Sequence, residues 1–215
     1  MQKKWLTFFS MILATAAFTS TASVSAAPFR EGQHYVTLPH PVKDAPPVLE
    51  FFSFFCPHCY QFENVHHVSE EMQRFLPDGI KVTRYHVDFL GGPLGPVVTQ
   101  AWAVAIAMGV EDKVKQPIFD GIQKTRTITN PSELKATFIA ASGIQPEEYD
   151  ASWNSFAVKA LVSLQREAAL DVGLRGVPSV FVKGTYLVKA DGLDKTSTDT
   201  YVAQYRHVVK FLLKK

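Results

Sequence analysis

The sequence predicts an α/β chain in which a single mixed sheet is interrupted by an all-helical block. Three observations carry this. An almost unbroken apolar run, Val48–Phe55, leads straight into a helix start at Cys56-Pro57. The whole stretch from Val97 to about Leu170 has helical periodicity. After Gly173 the pattern returns to short strands and one closing amphipathic helix.

Taken in chain order, residues 1–26 read as a secretory signal, with Lys3 and Lys4 as the charged region, Leu6–Phe18 as the apolar region and Val24-Ser25-Ala26 as a small-residue cleavage site. The apolar region is shorter than the roughly 20 residues that a bilayer-spanning helix needs, so no stable membrane insertion is expected. A short strand is predicted at His34–Leu38, followed by a proline-rich connection. Val48–Phe54 reads as a strand covered on both faces. Pro57 suits the first helical position, where a missing N–H costs nothing, which makes Cys56 the N-cap. That helix is expected to continue to about Phe75 with Cys59, Phe62, Val65, Ser69 and Met72 inward. Ile80–Val87 alternates like a second core strand.

A Gly/Pro-rich loop at Gly91–Pro96 then opens the helical block: Val97–Met108, Glu111–Gln123, a helix starting at Asn130-Pro131, and Trp153–Val172 as the longest. Ser179–Val182 and Tyr186–Val188 flank Lys183-Gly184-Thr185 as a hairpin. Asp199–Leu213 closes the chain with Tyr201, Tyr205, Val208, Val209 and Leu212 inward. The expected organisation is 1–26 signal, 27–88 first part of the α/β domain, 89–165 helical insertion and 166–215 second part.

Composition excludes some classes. The formal charge is only +2, and loss of the first 26 residues would remove two lysines and no acid. With no basic cluster, nucleic acid is not an expected partner. An apolar content of 47% suffices for an ordinary core without structural disulfides.

The chemistry centres on the only two cysteines, in Cys56-Pro57-His58-Cys59. A thiol at a helix N-terminus meets unpaired N–H groups and the positive end of the helix dipole, and both favour thiolate. His58 can add positive charge or a hydrogen bond. A stabilised dithiol makes the disulfide form an oxidant. Cys59, one turn in and facing the core, is expected to be the resolving thiol. A metal site needs more ligands than this pair offers, so no metal is expected. Glu50 is an acid inside an apolar strand, so it needs a partner or a raised pKa. It could manage a proton for Cys59 or be a structural ion pair, with Glu63 and Arg84 as the candidate partners. A strand feeding Cys-X-X-Cys and a helix is the pattern of thioredoxin-like redox motifs.

Beyond that motif, the chain resembles the bacterial DsbA family of thiol:disulfide interchange proteins. The likeness runs through Val48–Glu63, Gln100–Ala105, Glu147–Asp150 and Leu174–Pro178. It implies a thioredoxin-like fold with an inserted all-helical domain, a location in the Gram-negative periplasm, and a monomer without a cofactor. It also implies that Cys56 and Cys59 form a redox-active disulfide, with Pro57 and His58 as the central dipeptide. Val177 and Pro178, the latter in cis, would bind an extended substrate segment by strand addition. The implied partners are reduced, unfolded exported polypeptides and a quinone-linked membrane oxidase of the DsbB type. One departure is visible: Arg84 stands where the family often has lysine. Arginine stays charged, which puts in doubt a proton relay through that position. A reductase or isomerase, and a non-catalytic chaperone on the same scaffold, are the alternative readings.

Overall fold

A computed structural model describes residues 29–215, so the expected signal at 1–26 lies outside the described residues. Five strands form one sheet: β1 (Tyr35–Thr37), β2 (Val48–Phe52), β3 (Val82–His86), β4 (Ser179–Val182) and β5 (Tyr186–Val188), in the order β1-β5-β4-β2-β3. Only β2 and β3 run parallel; the remaining pairs are antiparallel, as the mixed-sheet expectation requires. All five residues of β2 are buried.

Period-two alternation sends the β2 side chains to two different environments. Leu49 and Phe51 pack with Tyr85, Val87 and Phe181 on one face. On the other, Val48 joins the core under the closing helix α8 (Thr198–Lys214), and Phe52 reaches the helical block. Glu50 shares that second face.

Between β3 and β4 stand five helices: α3 (Leu94–Met108), α4 (Glu111–Phe119), α5 (Pro131–Ser142), α6 (Pro146–Trp153) and α7 (Phe156–Asp171). Phe54, Trp102, Phe119, Leu134 and Phe138 pack together at their centre, all essentially fully buried. The expected boundary at residue 165 falls inside α7. Val158, Leu161 and Val162 pack into the helical cluster, while Ala168, Ala169 and Val172 cover the sheet. One continuous helix therefore serves both cores. Helix α6 was not predicted, and α7 starts later than expected because Ser155 caps it. At 17 residues, α8 is the longest helix among the described residues.

Asn130 caps α5 as expected, its Oδ1 accepting the Glu133 N–H at 3.0 Å with Pro131 next in line. Asn130→Ala is expected to cost about 1 kcal/mol. A denaturant melt that moved by less than a few tenths of a kcal/mol would contradict this assignment.

The helix after the cysteines departs from the sequence expectation. It is α1 (Pro57–Tyr60), then a π turn over Gln61–Val65, then a break, then α2 (Val68–Phe75). His66 N–H closes the wide turn on Gln61 O at 2.8 Å, and His67 adopts φ 53°. The i→i+5 turn inserts a residue into the helical repeat and rotates the side chains beyond it around the helix axis. Glu63 is thereby buried and Val65 is 53% exposed, whereas unbroken 3.6-residue periodicity would have put Val65 inside.

Candidate active site

Cys56 sits at the N-cap of α1, in extended conformation, with Pro57 first in the helix. Its Sγ accepts the Cys59 N–H at 3.4 Å and donates to Val177 O at 3.3 Å. Both sulfurs are free thiols. Cys56 is 6% exposed and Cys59 2%, while Pro57 and His58 are exposed. The environment separates the two thiols strongly. The Cys56 thiol is lowered to about 6, chiefly by a hydrogen bond from the Cys59 side chain. Burial opposes this; the N–H groups of Cys59 and His58, then the His58 charge, add to it. Burial pushes Cys59 well up, and its bond and charge interaction with Cys56 push the same way. The helix start and His58 were legible in the sequence. The largest contribution, one thiol donating to the other, was not.

The loop carrying Cys56 is held from three directions. Ser53 Oγ accepts the Phe55 N–H at 3.2 Å, and Ser53 O accepts the Cys56 N–H at 3.1 Å. His86, on β3, accepts the Phe54 N–H through Nε2 at 3.1 Å, and its Nδ1 lies 2.8 Å from Thr99 Oγ1. Because Phe54 N–H can only donate, the His86 proton belongs on Nδ1. Burial lowers this histidine to about 3, so it stays neutral. From the helical block, Gln123 Nε2 donates to both Phe54 O (2.7 Å) and Cys56 O (3.0 Å). Gln123 lies in a second π turn, Asp120–Lys124, that prolongs α4. Sequence reasoning missed Ser53, His86 and Gln123. A histidine inside an apolar strand was a weak signal for His86; Gln123 offered none.

Beneath the loop lies a buried charge cluster. Arg84 Nε stands 3.5 Å from Glu50 and its Nη1 3.9 Å from Glu63. Ser69 Oγ donates to Glu50 at 2.7 Å, and Lys115 from α4 pairs with Glu63. Of the two expected partners of Glu50, Arg84 pairs with it directly, whereas Glu63 sits across that arginine and its charge raises the Glu50 pKa. Burial raises the Glu50 pKa against the pull of Arg84. Burial acts the same way on Glu63, but there Arg84 and Lys115 together outweigh it and keep that carboxyl low. Lys115 had no sequence signal, because its partner is 52 positions away.

The Val177–Pro178 peptide is cis, and Val177 O faces the Cys56 sulfur. Beyond Pro178 a groove of about 380 Å³ continues past Phe62 and Tyr201. Phe55, next to Cys56 in the chain, borders a second groove of about 540 Å³ with Leu94, Ile122 and Ile128. Among the described residues no group of three or more His, Cys, Asp or Glu side chains is placed to hold a metal, and no helix is long and apolar enough to cross a membrane.

Residues 47–201 match the family described as DSBA-like thioredoxin domain. The chain is 54% identical over 215 residues to the thiol:disulfide interchange protein DsbA of Escherichia coli K12, covering all of both chains. It is 51% identical to that of Salmonella typhimurium, again over the full length of both. Among solved structures, Proteus mirabilis DsbA with a non-covalently bound peptide, PWATCDS, superposes with a TM-score of 0.85 at 48% identity. That match covers 88% of this chain and all of the other.

Proposed function

This chain belongs to the DsbA family of thiol-disulfide oxidoreductases, and from that premise we propose that it works as a dithiol oxidase for newly exported polypeptides in the Gram-negative periplasm. The observation that carries the direction of electron flow is the opposed displacement of two neighbouring thiols, Cys56 down to about 6 and Cys59 up.

The exchange proceeds in two balanced steps. A client thiolate attacks Cys56 Sγ of the Cys56–Cys59 disulfide. A client–Cys56 bond forms, the Cys56–Cys59 bond breaks, and Cys59 leaves as a thiolate that takes up a proton. A second client thiolate then attacks the client sulfur of this mixed disulfide, and Cys56 leaves as a thiolate. The client has lost two electrons to the pair. The low pKa of Cys56 makes it the better leaving group in the second step, and the high pKa of Cys59 keeps it protonated and quiet once released.

Several residues support these steps. Pro57 removes one N–H that would otherwise be unpaired, and His58 adds charge beside the sulfur. Glu50 is the group suited to hold the proton near Cys59, since its raised pKa brings its neutral form within reach while Arg84 stays charged. Pro178 borders the groove where an extended client segment would lie, and Val177 O would accept its N–H in place of the Cys56 thiol. Reoxidation would pass the electrons to a quinone-linked membrane partner of the DsbB type through the same Cys56 sulfur, with the protein acting as a monomer and without a cofactor.

Equilibrating the protein with a glutathione series tests the direction. The Cys56–Cys59 disulfide is expected to be half reduced while the pool is still mostly oxidised glutathione. A bridge that persists in a strongly reducing pool would favour the reductase reading.

A further inference from the structure

The cavities on this molecule differ in the charged groups that line them. Three of them include carboxylates: Asp199 in one, Glu71 and Asp199 with Arg206 in another, Glu111 and Asp112 with Lys81 and Arg84 in the third; the second of these adjoins the groove at Pro178, with which it shares His66 and Thr198. The two lined by the chain neighbours of Cys56, Phe55 in one and His58 in the other, include none. The groove bordered by Phe55 carries Arg126. The groove bordered by His58 and Pro178 carries Lys195 and His66. Arg126 and Lys195 are exposed, and among the described residues neither lies within ion-pair distance of an acid. Arg126 also holds φ 54°, a left-handed conformation that a long side chain occupies at some cost. The chain as a whole is close to neutral, so this excess of positive charge is local.

We propose that the two grooves favour client segments bearing carboxylates on both sides of the cysteine that enters the mixed disulfide. This rests on the oxidase reading above. An extended segment rises about 3.3 Å per residue, so acids two to four positions from the cysteine would reach past the sulfur into the grooves. The cations are solvent-exposed and the pairs they form are weak individually. Their main effect is on capture: they raise the encounter rate of complementary segments and lower that of basic ones.

The test uses three reduced heptapeptides with one central cysteine and Asp, Asn or Lys at both flanking positions three residues away. The rate at which each consumes the Cys56–Cys59 disulfide of the oxidised protein is divided by its rate with a neutral aromatic disulfide, which removes differences in peptide thiol acidity. At low salt the Asp peptide is expected to react roughly three- to tenfold faster than the Asn peptide, with Lys slowest. The ratio should fall towards one at about 0.5 M salt and in Arg126→Asn/Lys195→Gln protein, and persist in Arg126→Lys/Lys195→Arg. If the double variant does not fold, Lys195→Glu alone should narrow or invert the order. Equal normalised rates, or an order that survives both salt and charge removal, would overturn the proposal. Failure of all three peptides, Asn included, to reduce the protein would instead count against the oxidase reading. Oxidation of the Asn peptide without any charge order defeats only this inference.

Discussion

Cys56→Ser protein is expected to transfer no disulfide at all to a reduced secreted substrate, while Cys59→Ser is expected to stall in a covalent complex with a disulfide-bonded one. The asymmetry comes from the site. Cys56 is the sulfur that faces Val177 O, whereas Cys59 is 2% exposed and pushed strongly towards the neutral thiol. With Cys56 gone, no bridge can form, and the remaining thiol is both hidden and protonated, so the loss should exceed a thousandfold. With Cys59 replaced, the Cys56 thiolate still attacks a client disulfide, and nothing inside the protein resolves the bond. Non-reducing gels of each variant with a disulfide-bonded client would separate the two outcomes. Trapping by Cys56→Ser, or unimpaired turnover of either variant, would reverse the roles given to the two residues. The non-catalytic chaperone reading predicts that both variants keep full function.

The second large effect is a pH-dependent gap in stability between reduced and oxidised protein. A Cys56 thiol at about 6 in the folded chain and near 9 in the unfolded one is a depressed acid. Its stabilisation is complete above the unfolded value and is lost as pH falls through the folded one. The reduced form should therefore gain about 1 kcal/mol relative to the oxidised form for each pH unit between roughly 6.5 and 8.5, allowing for some solvent screening of the sulfur. Cys59 acts in the opposite sense: its raised pKa costs stability once pH exceeds the ordinary thiol range, so the gain should peak near pH 9 and reverse above it. The slope is the decisive quantity, because closing the four-residue loop by itself stabilises the oxidised form by about 2 kcal/mol. Paired denaturant melts across this range check it. A flat difference, or one that shrinks with rising pH, would mean that the fold does not favour the Cys56 thiolate.

Local spacing carried a large share of this protein's architecture and chemistry. The apolar run ending at Phe55, the N-cap at Cys56 with Pro57 behind it, the Gly184 hairpin and the Asn130 cap are all decided by neighbours within four residues. Chain periodicity and elementary backbone chemistry report such neighbours directly. The buried acid at Glu50 was legible for a similar reason, since an ionisable group in a continuous apolar strand announces a missing partner.

What the chain order concealed was set by contacts that appear only when distant segments meet. Gln123 reaches the Phe54 and Cys56 carbonyls from 69 and 67 residues away, and His86 reaches the Phe54 N–H from 32. Lys115 joins the Glu50–Arg84–Glu63 cluster from the helical block. The π turn at Gln61–Val65 is invisible to a 3.6-residue repeat, yet it buries Glu63 and turns Val65 outward. The positive lining of both grooves likewise depends on Arg126 and Lys195, separated in sequence, each arriving in a groove lined by a chain neighbour of Cys56. By itself, then, the sequence determined the strands, the caps and the reactive pair, because each depends on residues close along the chain. The tertiary structure alone decided how the sulfurs are separated in acidity, what holds their loop and which charges surround it, because electrostatics and hydrogen bonding act through space.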